Sequence, residues 1–407
     1  MRCDLGRQRA VVEIPGEEDP VSISVHKRVL NISFGQASVY TFEPSGRFYG
    51  AFDCGRNYRR GLDNRILEKW RVRRDGQSVL HQRWLDTDSH KEFLAGVCQR
   101  VKHVAGSVKK DEFAGHFDAI LKWDPDAYEH DAALFSQVYK PISILPPDQY
   151  MAVVIQATEG CSWNQCTFCD FYRDRKFRIR SPGELDTHIA DVKDFMGSGI
   201  SMRRSIFLGD ANVLSIPWDR LQETFESIQK GFPSNADGPS WHETYAFVDA
   251  WGGQKRTVDQ VVALKSMGLQ RVYLGLETGN DALLERVNKR GNARSAIETV
   301  KSFKAAGVSV GVIVLLGIGG ASYAHDHVWD TVDVLNAMNL GRSDIIYFSE
   351  LISSTYLPYA QDMWAAGIHP LSQEQMTEQR EIIEEQLIFH GQGRPKIAPY
   401  DIRRFVY

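Results

Sequence analysis

An α/β fold, with a partial (β/α)6 barrel of the TIM type behind an N-terminal α+β domain, follows from three features of this 407-residue sequence. From Met151 onward, short β-branched apolar runs alternate with amphipathic stretches of helical period. Before Pro141 that alternation is missing, and period-two strand runs are followed by helical sequence. Three of the six cysteines stand together directly after the first apolar run of the second half. The expected domains are therefore 1–140 (β-rich start, helical end), a connector at 141–150, a barrel core at 151–390 and a tail at 391–407 that packs on the body.

The N-terminal runs are Val21–Val25, Val29–Phe34 and Ser38–Phe42, separated by turn residues such as Pro44-Ser45-Gly46. Their alternation predicts a small antiparallel β-unit over residues 21–55. Residues 88–137 repeat apolar side chains at Phe93, Val97 and Val101, the spacing of a helix face. Pro141, Pro146 and Pro147 mark the connector as extended.

In the second half the predicted strands are Ala152–Ala157, Ser205–Leu208, Glu243–Phe247, Arg271–Leu276, Val308–Leu315 and Asp344–Phe348. Helices are predicted over Gly183–Met196, Trp218–Lys230, Thr257–Met267, Asp281–Val287 with Ala293–Ala306, His325–Met338 and Ser372–Phe389. Six βα units imply a parallel sheet wrapped by helices, with any chemistry at the strand C-terminal ends.

Composition narrows the function classes. Hydrophobic content of 43% and charged content of 25% suit a globular protein. The net charge of −4 makes no global case for nucleic-acid binding. No apolar run reaches the roughly 18 residues of a membrane span, and Met1–Gly6 lacks the apolar core of a signal peptide. The sparse, clustered cysteines point to a reduced, cytoplasmic setting rather than to a disulfide framework.

The chemistry is concentrated in Gly160-Cys161-Ser162-Trp163-Asn164-Gln165-Cys166-Thr167-Phe168-Cys169. Electron-transfer 4Fe–4S clusters use four cysteines, so three leave one iron open to another ligand. Structural zinc would need a fourth ligand, and Cys3, Cys54 and Cys98 are remote in sequence. Buried, inert cysteines would not explain the clustering.

The loop resembles that of the radical S-adenosylmethionine (radical SAM) superfamily, in its Cys-x4-Cys-x2-Cys variant rather than the usual three-then-two spacing. The resemblance spans about Met151 to Phe389 and implies the radical SAM type of barrel. Cys161, Cys166 and Cys169 would be the ligands of a 4Fe–4S cluster. Its open iron would chelate S-adenosylmethionine, and reductive cleavage would generate a 5′-deoxyadenosyl radical.

The resemblance assigns further residues. Phe168 would pack beside adenine. Gly209-Asp210 stands where the superfamily has Gly-Gly-Glu and would receive the ammonium of S-adenosylmethionine; a tight turn with a capping aspartate is the alternative. Glu277 matches a strand-end polar residue of coproporphyrinogen dehydrogenase-like members. Lys289 in Val287-Asn288-Lys289 matches their Val-Asn-Arg and would meet the methionyl carboxylate. Solvated surface roles are the alternatives for both. Glu243 and Tyr245 are weaker candidates, and Ile313 stands where a polar ribose ligand is expected.

Basic residues raise a substrate question. Arg56 to Arg74 holds eight Lys or Arg against Asp63 and Glu68. Such a patch suits carboxylates, phosphates or RNA, and equally a solvated or docking surface. Arg56, Arg59 and Arg60, with Tyr172 after the cluster loop, are the candidate substrate contacts.

The implied function is a radical SAM enzyme acting on an anionic small molecule, reduced by an external flavodoxin- or ferredoxin-type donor. RNA modification, as in the Elongator catalytic subunit, and a tetrapyrrole substrate are the second and third readings. A non-catalytic iron–sulfur sensor or electron-transfer protein is the rival from another class. No membrane partner is expected.

Overall fold

The computed structural model describes residues 8–26, 29–74, 76–108, 110–233, 241, 243–352, 354–389 and 393–407. It divides into two compact units. The first comprises Met1–Pro141, Asp191–Arg203 and Val406–Tyr407; the second comprises Ile142–Ala190 and Arg204–Phe405.

The first unit contains one eight-stranded antiparallel meander in chain order. Its strands are β1 (Gln8–Val12), β2 (Val21–His26), β3 (Val29–Phe34), β4 (Ser38–Phe42), β5 (Phe48–Asp53), β6 (Arg56–Arg60), β7 (Ile66–Arg74) and β8 (Gln77–Trp84). The sheet is larger than the unit expected over residues 21–55, because the arginine-rich stretch is itself β6 and β7. Its charges sit on a ladder that pairs Arg56 with Trp70 and Arg60 with Ile66. One face of β2–β4 is buried at every second residue, as in Val21, Ile23 and Val25. That face packs with Leu94, Val97, Val101 and Val104 of the helix Thr87–Ser107. Alternate burial fixes the register, since a one-residue slip would turn the apolar set outward.

A buried carboxylate organises this unit. Asp131, 3% exposed, accepts from Arg47 at 2.7 Å and from Arg60 at 3.1 Å. Arg47 also donates to the carbonyls of Phe195 (2.6 Å) and Met196 (3.3 Å), and Arg60 donates to Asn64 Oδ1 (2.8 Å). Both guanidiniums are desolvated, so their charge is tolerable only with this partner.

The second unit contains a seven-stranded sheet in the order β17-β16-β15-β14-β13-β12-β9. The strands are β9 (Ala152–Gln156), β12 (Ser205–Gly209), β13 (Thr244–Val248), β14 (Leu269–Glu277), β15 (Ser309–Leu316), β16 (Ile345–Glu350) and β17 (Lys396–Pro399). Two-residue strands β10 (Thr158–Glu159) and β11 (Arg178–Ile179) pair separately. All contacts in the large sheet are parallel. The first six strands follow the expected order. The seventh comes from the tail, where a short segment with two prolines nearby gives no periodic signal. β9 and β12 are buried at every position, the mark of a parallel sheet covered on both faces.

A hydrogen-bonded network joins the connector to the strands. Asp148, from the connector segment, accepts from Tyr273 Oη (2.6 Å), Tyr347 Oη (2.7 Å) and Arg271 Nη1 (2.9 Å). Arg271 lies near the start of β14 and Tyr273 at its middle, so this network sits toward the end opposite the strand C-termini. Among the described residues, no helix is long and apolar enough to cross a membrane.

Removing Asp131 leaves two buried guanidiniums without their carboxylate. Asp131→Ala is expected to destabilise the first unit by about 3–5 kcal/mol. Breaking the exposed Lys91–Glu129 pair with Lys91→Ala should cost no more than about 1 kcal/mol. Denaturant unfolding of the full chain, followed by tryptophan fluorescence, compares the two.

Candidate functional site

At the C-terminal ends of the strands lies a chamber of about 220 Å³. Every strand of the large sheet feeds it: the cysteine loop follows β9, Asn212 follows β12, Asp249 follows β13, Glu277 ends β14, and Leu315, Glu350 and Tyr400 follow in turn. Cys161, Cys166 and Cys169 all line this space, as do Phe168 and Tyr172.

The cysteine loop is closed at its base. Thr158 pairs with Ile179 and Glu159 with Arg178 in an antiparallel ladder. Arg178 and Arg180 reinforce it by meeting the Glu159 carboxylate at 2.7 and 3.1 Å. Gly160, at φ +76°, opens the loop; a Cβ there would sit 3.3 Å from Arg175 and Lys176. The Asp210 carboxylate then ties the ends together. It accepts from Gln156 Nε2 (2.7 Å), the Gly160 N–H (2.9 Å) and Arg175 Nη1 (3.1 Å). Burial raises its pKa, while these three donors favour the ionised form.

A second set of bonds fastens the loop to the segment carrying Lys289. Thr167 N–H donates to Val287 O (3.0 Å), Trp163 Nε1 to Asn288 O (2.7 Å) and Asn288 Nδ2 to Gln165 O (3.1 Å). Arg173 donates to the carbonyls of Cys166 (2.8 Å) and Cys169 (2.9 Å). Phe168 packs with Leu283, Val287 and Ile318.

Lys289 and Glu277 meet in the chamber wall at 2.8 Å. Glu277 lies at φ +63°, beyond a break in register between Gly275 and Glu277 that turns its side chain out of the ladder. Gly275 makes room for the pair: a Cβ there would lie 2.6 Å from Glu277 Oε1 and 3.1 Å from Lys289 Nζ. Burial alone would lower the Lys289 pKa, but the charge and hydrogen bond of Glu277, with Cys166 and Asp249 nearby, together outweigh it and the net shift is upward. The ammonium is therefore held charged.

The remaining sequence candidates fall as follows. Asp210 is directed at the loop base, and Ala211 and Asn212 line the chamber in its place. Ile313 also lines it as an apolar residue. Glu243 and Tyr245 bond each other at the start of β13, whereas Phe247, Val248 and Asp249 at its far end reach the chamber. Arg56, Arg59 and Arg60 belong to β6 of the first unit. Arg56 pairs with Glu68 (2.6 Å), Arg60 with Asp131, and Arg59 lies 3.1 Å over the Tyr49 ring. None of the three is among the lining residues.

Asn212 was not evident in the sequence. It is 4% exposed, adopts φ +53°, and neither Nδ2 nor Oδ1 has a hydrogen-bond partner. A Cβ on Gly252 would stand 2.6 Å from its Nδ2, so the glycine accommodates the amide. A buried amide without partners is costly, and this one borders the chamber.

The donor set suits a cubane cluster. Burial holds Cys166 above the ordinary thiol pKa and pushes Cys169 up to about 12, so bound iron must displace their protons. Among the described residues, no three His, Cys, Asp or Glu side chains converge on one ion position. A cubane takes one thiolate per iron, so its cysteines surround a volume rather than meet at a point.

Residues 155–335 match the radical SAM superfamily. The chain is 22% identical over 173 residues to 4′-phospho-dehydrooxetanocin synthase of Priestia megaterium, covering 39% of this chain and 22% of that protein. It is 22% identical over 249 residues to the heme chaperone HemW of Bacillus subtilis, covering 59% and 60%. The chain thus spans about a fifth and three fifths of the lengths of these relatives. Among solved structures, coproporphyrinogen III oxidase (HemN) from Escherichia coli matches at 15% identity and TM-score 0.43, covering 63% of this chain and 56% of that one. The [FeFe]-hydrogenase maturase HydG matches at 14% and 0.41, covering 76% and 68%.

Two substitutions test the chamber wall. Glu277→Gln should weaken S-adenosylmethionine binding about tenfold, because Lys289 loses its charged partner. Asn212→Ala should weaken it about fivefold, the worth of one hydrogen bond. Iron content should be unchanged in both. Calorimetric titration of cluster-loaded protein, with iron analysis alongside, provides the measurement.

Proposed function

We propose, for a chain whose residues 155–335 form a radical SAM superfamily domain, that the protein is an enzyme acting on an anionic small molecule through hydrogen abstraction. The observation that carries this reading is the meeting of three cysteine thiols and the Glu277–Lys289 pair on the wall of one chamber. When bound, a 4Fe–4S cluster supplies one electron that cleaves a sulfonium carbon–sulfur bond of S-adenosylmethionine, giving a 5′-deoxyadenosyl radical.

Cys161, Cys166 and Cys169 would hold the cluster and leave one iron open to S-adenosylmethionine. Lys289, paired with Glu277, would meet the methionyl carboxylate. Asn212 supplies a donor and an acceptor from the β12 end. Phe168 and Ile313 add apolar surface, which keeps water from the reacting centre. Arg173, exposed and bonded to two carbonyls of the cysteine loop, stiffens its outer side. The electron comes from an external flavodoxin- or ferredoxin-type donor. A sensor needs the cysteines but has no use for the charged pair and orphaned amide beside them.

Anaerobic reconstitution should load about four irons per chain. The reduced protein should then convert S-adenosylmethionine to 5′-deoxyadenosine. Cys166→Ala should lose both the brown chromophore and 5′-deoxyadenosine, and Cys98→Ala should lose neither. Full iron loading in wild type with no 5′-deoxyadenosine would establish the sensor reading instead.

A further inference from the structure

The chamber holds a second cation whose surroundings differ from those of Lys289. The Arg290 guanidinium lies 4.2 Å from the ring centroid of Trp163, in the cysteine loop, and 3.8 Å from that of Trp251. The ammonium of Lys255 lies 3.6 Å from the same Trp251 ring. Among the described residues, Arg290 makes no hydrogen bond and no ion pair, while Lys289 is already matched by Glu277. The other charged groups of the wall are also engaged. Asp249 caps the turn at Gly252, and Glu350 bonds Gln373 and lies 3.6 Å from Arg403.

Two aromatic faces hold a guanidinium without consuming its donors. All five N–H groups lie in the guanidinium plane, and contact with the ring faces satisfies none of them. The rings provide cation–π attraction but no counter-charge. The result is a cation in the chamber wall, held between two rings, whose planar fork matches two oxygens of a carboxylate or phosphate. Fixing the fork in advance reduces the ordering cost of binding.

We propose that Arg290 binds an oxyanion of the substrate, a carboxylate or phosphate group, and so selects anionic substrates. This rests on the reading of the chamber as a radical SAM site. It shifts the anion-binding role from Arg56, Arg59 and Arg60, which have partners within the first unit, to a residue that lines the chamber. The same chemistry has another source, the methionyl carboxylate of S-adenosylmethionine, and the experiment separates the two.

Phenylglyoxal labelling with peptide mass spectrometry reads Arg290 directly in the full chain, with and without reconstituted cluster and S-adenosylmethionine. Citrate is the carboxylate probe and inorganic phosphate the phosphate probe. Arg294, whose side chain is 87% exposed, is the internal control. At least one probe should slow labelling of Arg290 but not of Arg294, in the presence of S-adenosylmethionine. In calorimetry, Arg290→Gln should lose about tenfold in affinity for that probe, the size of a charge-assisted hydrogen bond, and keep its affinity for S-adenosylmethionine. If neither probe protects Arg290, the guanidinium is only a latch between two rings and the proposal fails. If Arg290→Gln instead loses S-adenosylmethionine affinity tenfold, the oxyanion is the methionyl carboxylate and the substrate assignment is overturned. Failure of the parent reading shows separately, as absence of 5′-deoxyadenosine from the wild type.

Discussion

The Asp210 carboxylate is the constraint on which the rest of the site depends. Its two oxygens reach the end of β9 through Gln156, the start of the cysteine loop through the Gly160 N–H, and the far side of that loop through Arg175. A long loop has many conformations, and ordering each residue costs about 1–2 kcal/mol of backbone entropy. The cost is spread over contacts that converge on one buried charge, so the three thiols share a frame with the barrel strands. The same logic explains an acidic residue at a turn where glycine would leave more room: the carboxylate braces the loop, while Ala211 and Asn212 line the chamber.

A second linkage makes the loop and the charged wall one object. The bonds from Thr167, Trp163 and Asn288 join the loop to Val287–Lys289. Any shift of the thiols therefore carries the Lys289 ammonium with it. Glu277 belongs to a different strand, and its ion pair ties this assembly to β14. Catalytic precision of this kind comes from groups whose own positions are locked by neighbours. In the three loop bonds every acceptor is a backbone carbonyl, while the side chains of Trp163 and Asn288 supply two of the three donors.

What could be read in the sequence divides along physical lines. The six parallel strands were legible because burial on both faces leaves continuous apolar runs, such as Val153-Val154-Ile155. The cysteine loop was legible because its ligands are adjacent in sequence. β6 and β7 were not, since a strand rich in arginine carries a charge pattern that masks its period. β17 was too short, and the helix Pro358–Ala365 too brief and too close to a turn, for periodicity to register. Asn212 was invisible for another reason: its significance is the absence of a partner, which only three-dimensional packing reveals.

The arginines show how far local density is from availability. Arg56 to Arg74 looks like the anion site of the chain, yet Arg60 is held by Asp131, seventy-one positions away, and Arg56 by Glu68 on the neighbouring strand. Burial also lowers the Arg59 pKa to about 9, with Arg203 nearby opposing its charge further. A cation becomes a binding group only when its charge is unspent and its donors face a space that a ligand can enter. Contact with aromatic rings meets the first condition, because it supplies attraction without a counter-charge, and lining the chamber meets the second. Arg290 shows no such density in sequence, one arginine beside a lysine. Its chemistry comes from Trp163 and Trp251, brought together by the loop that carries the cysteines and the segment that follows β13.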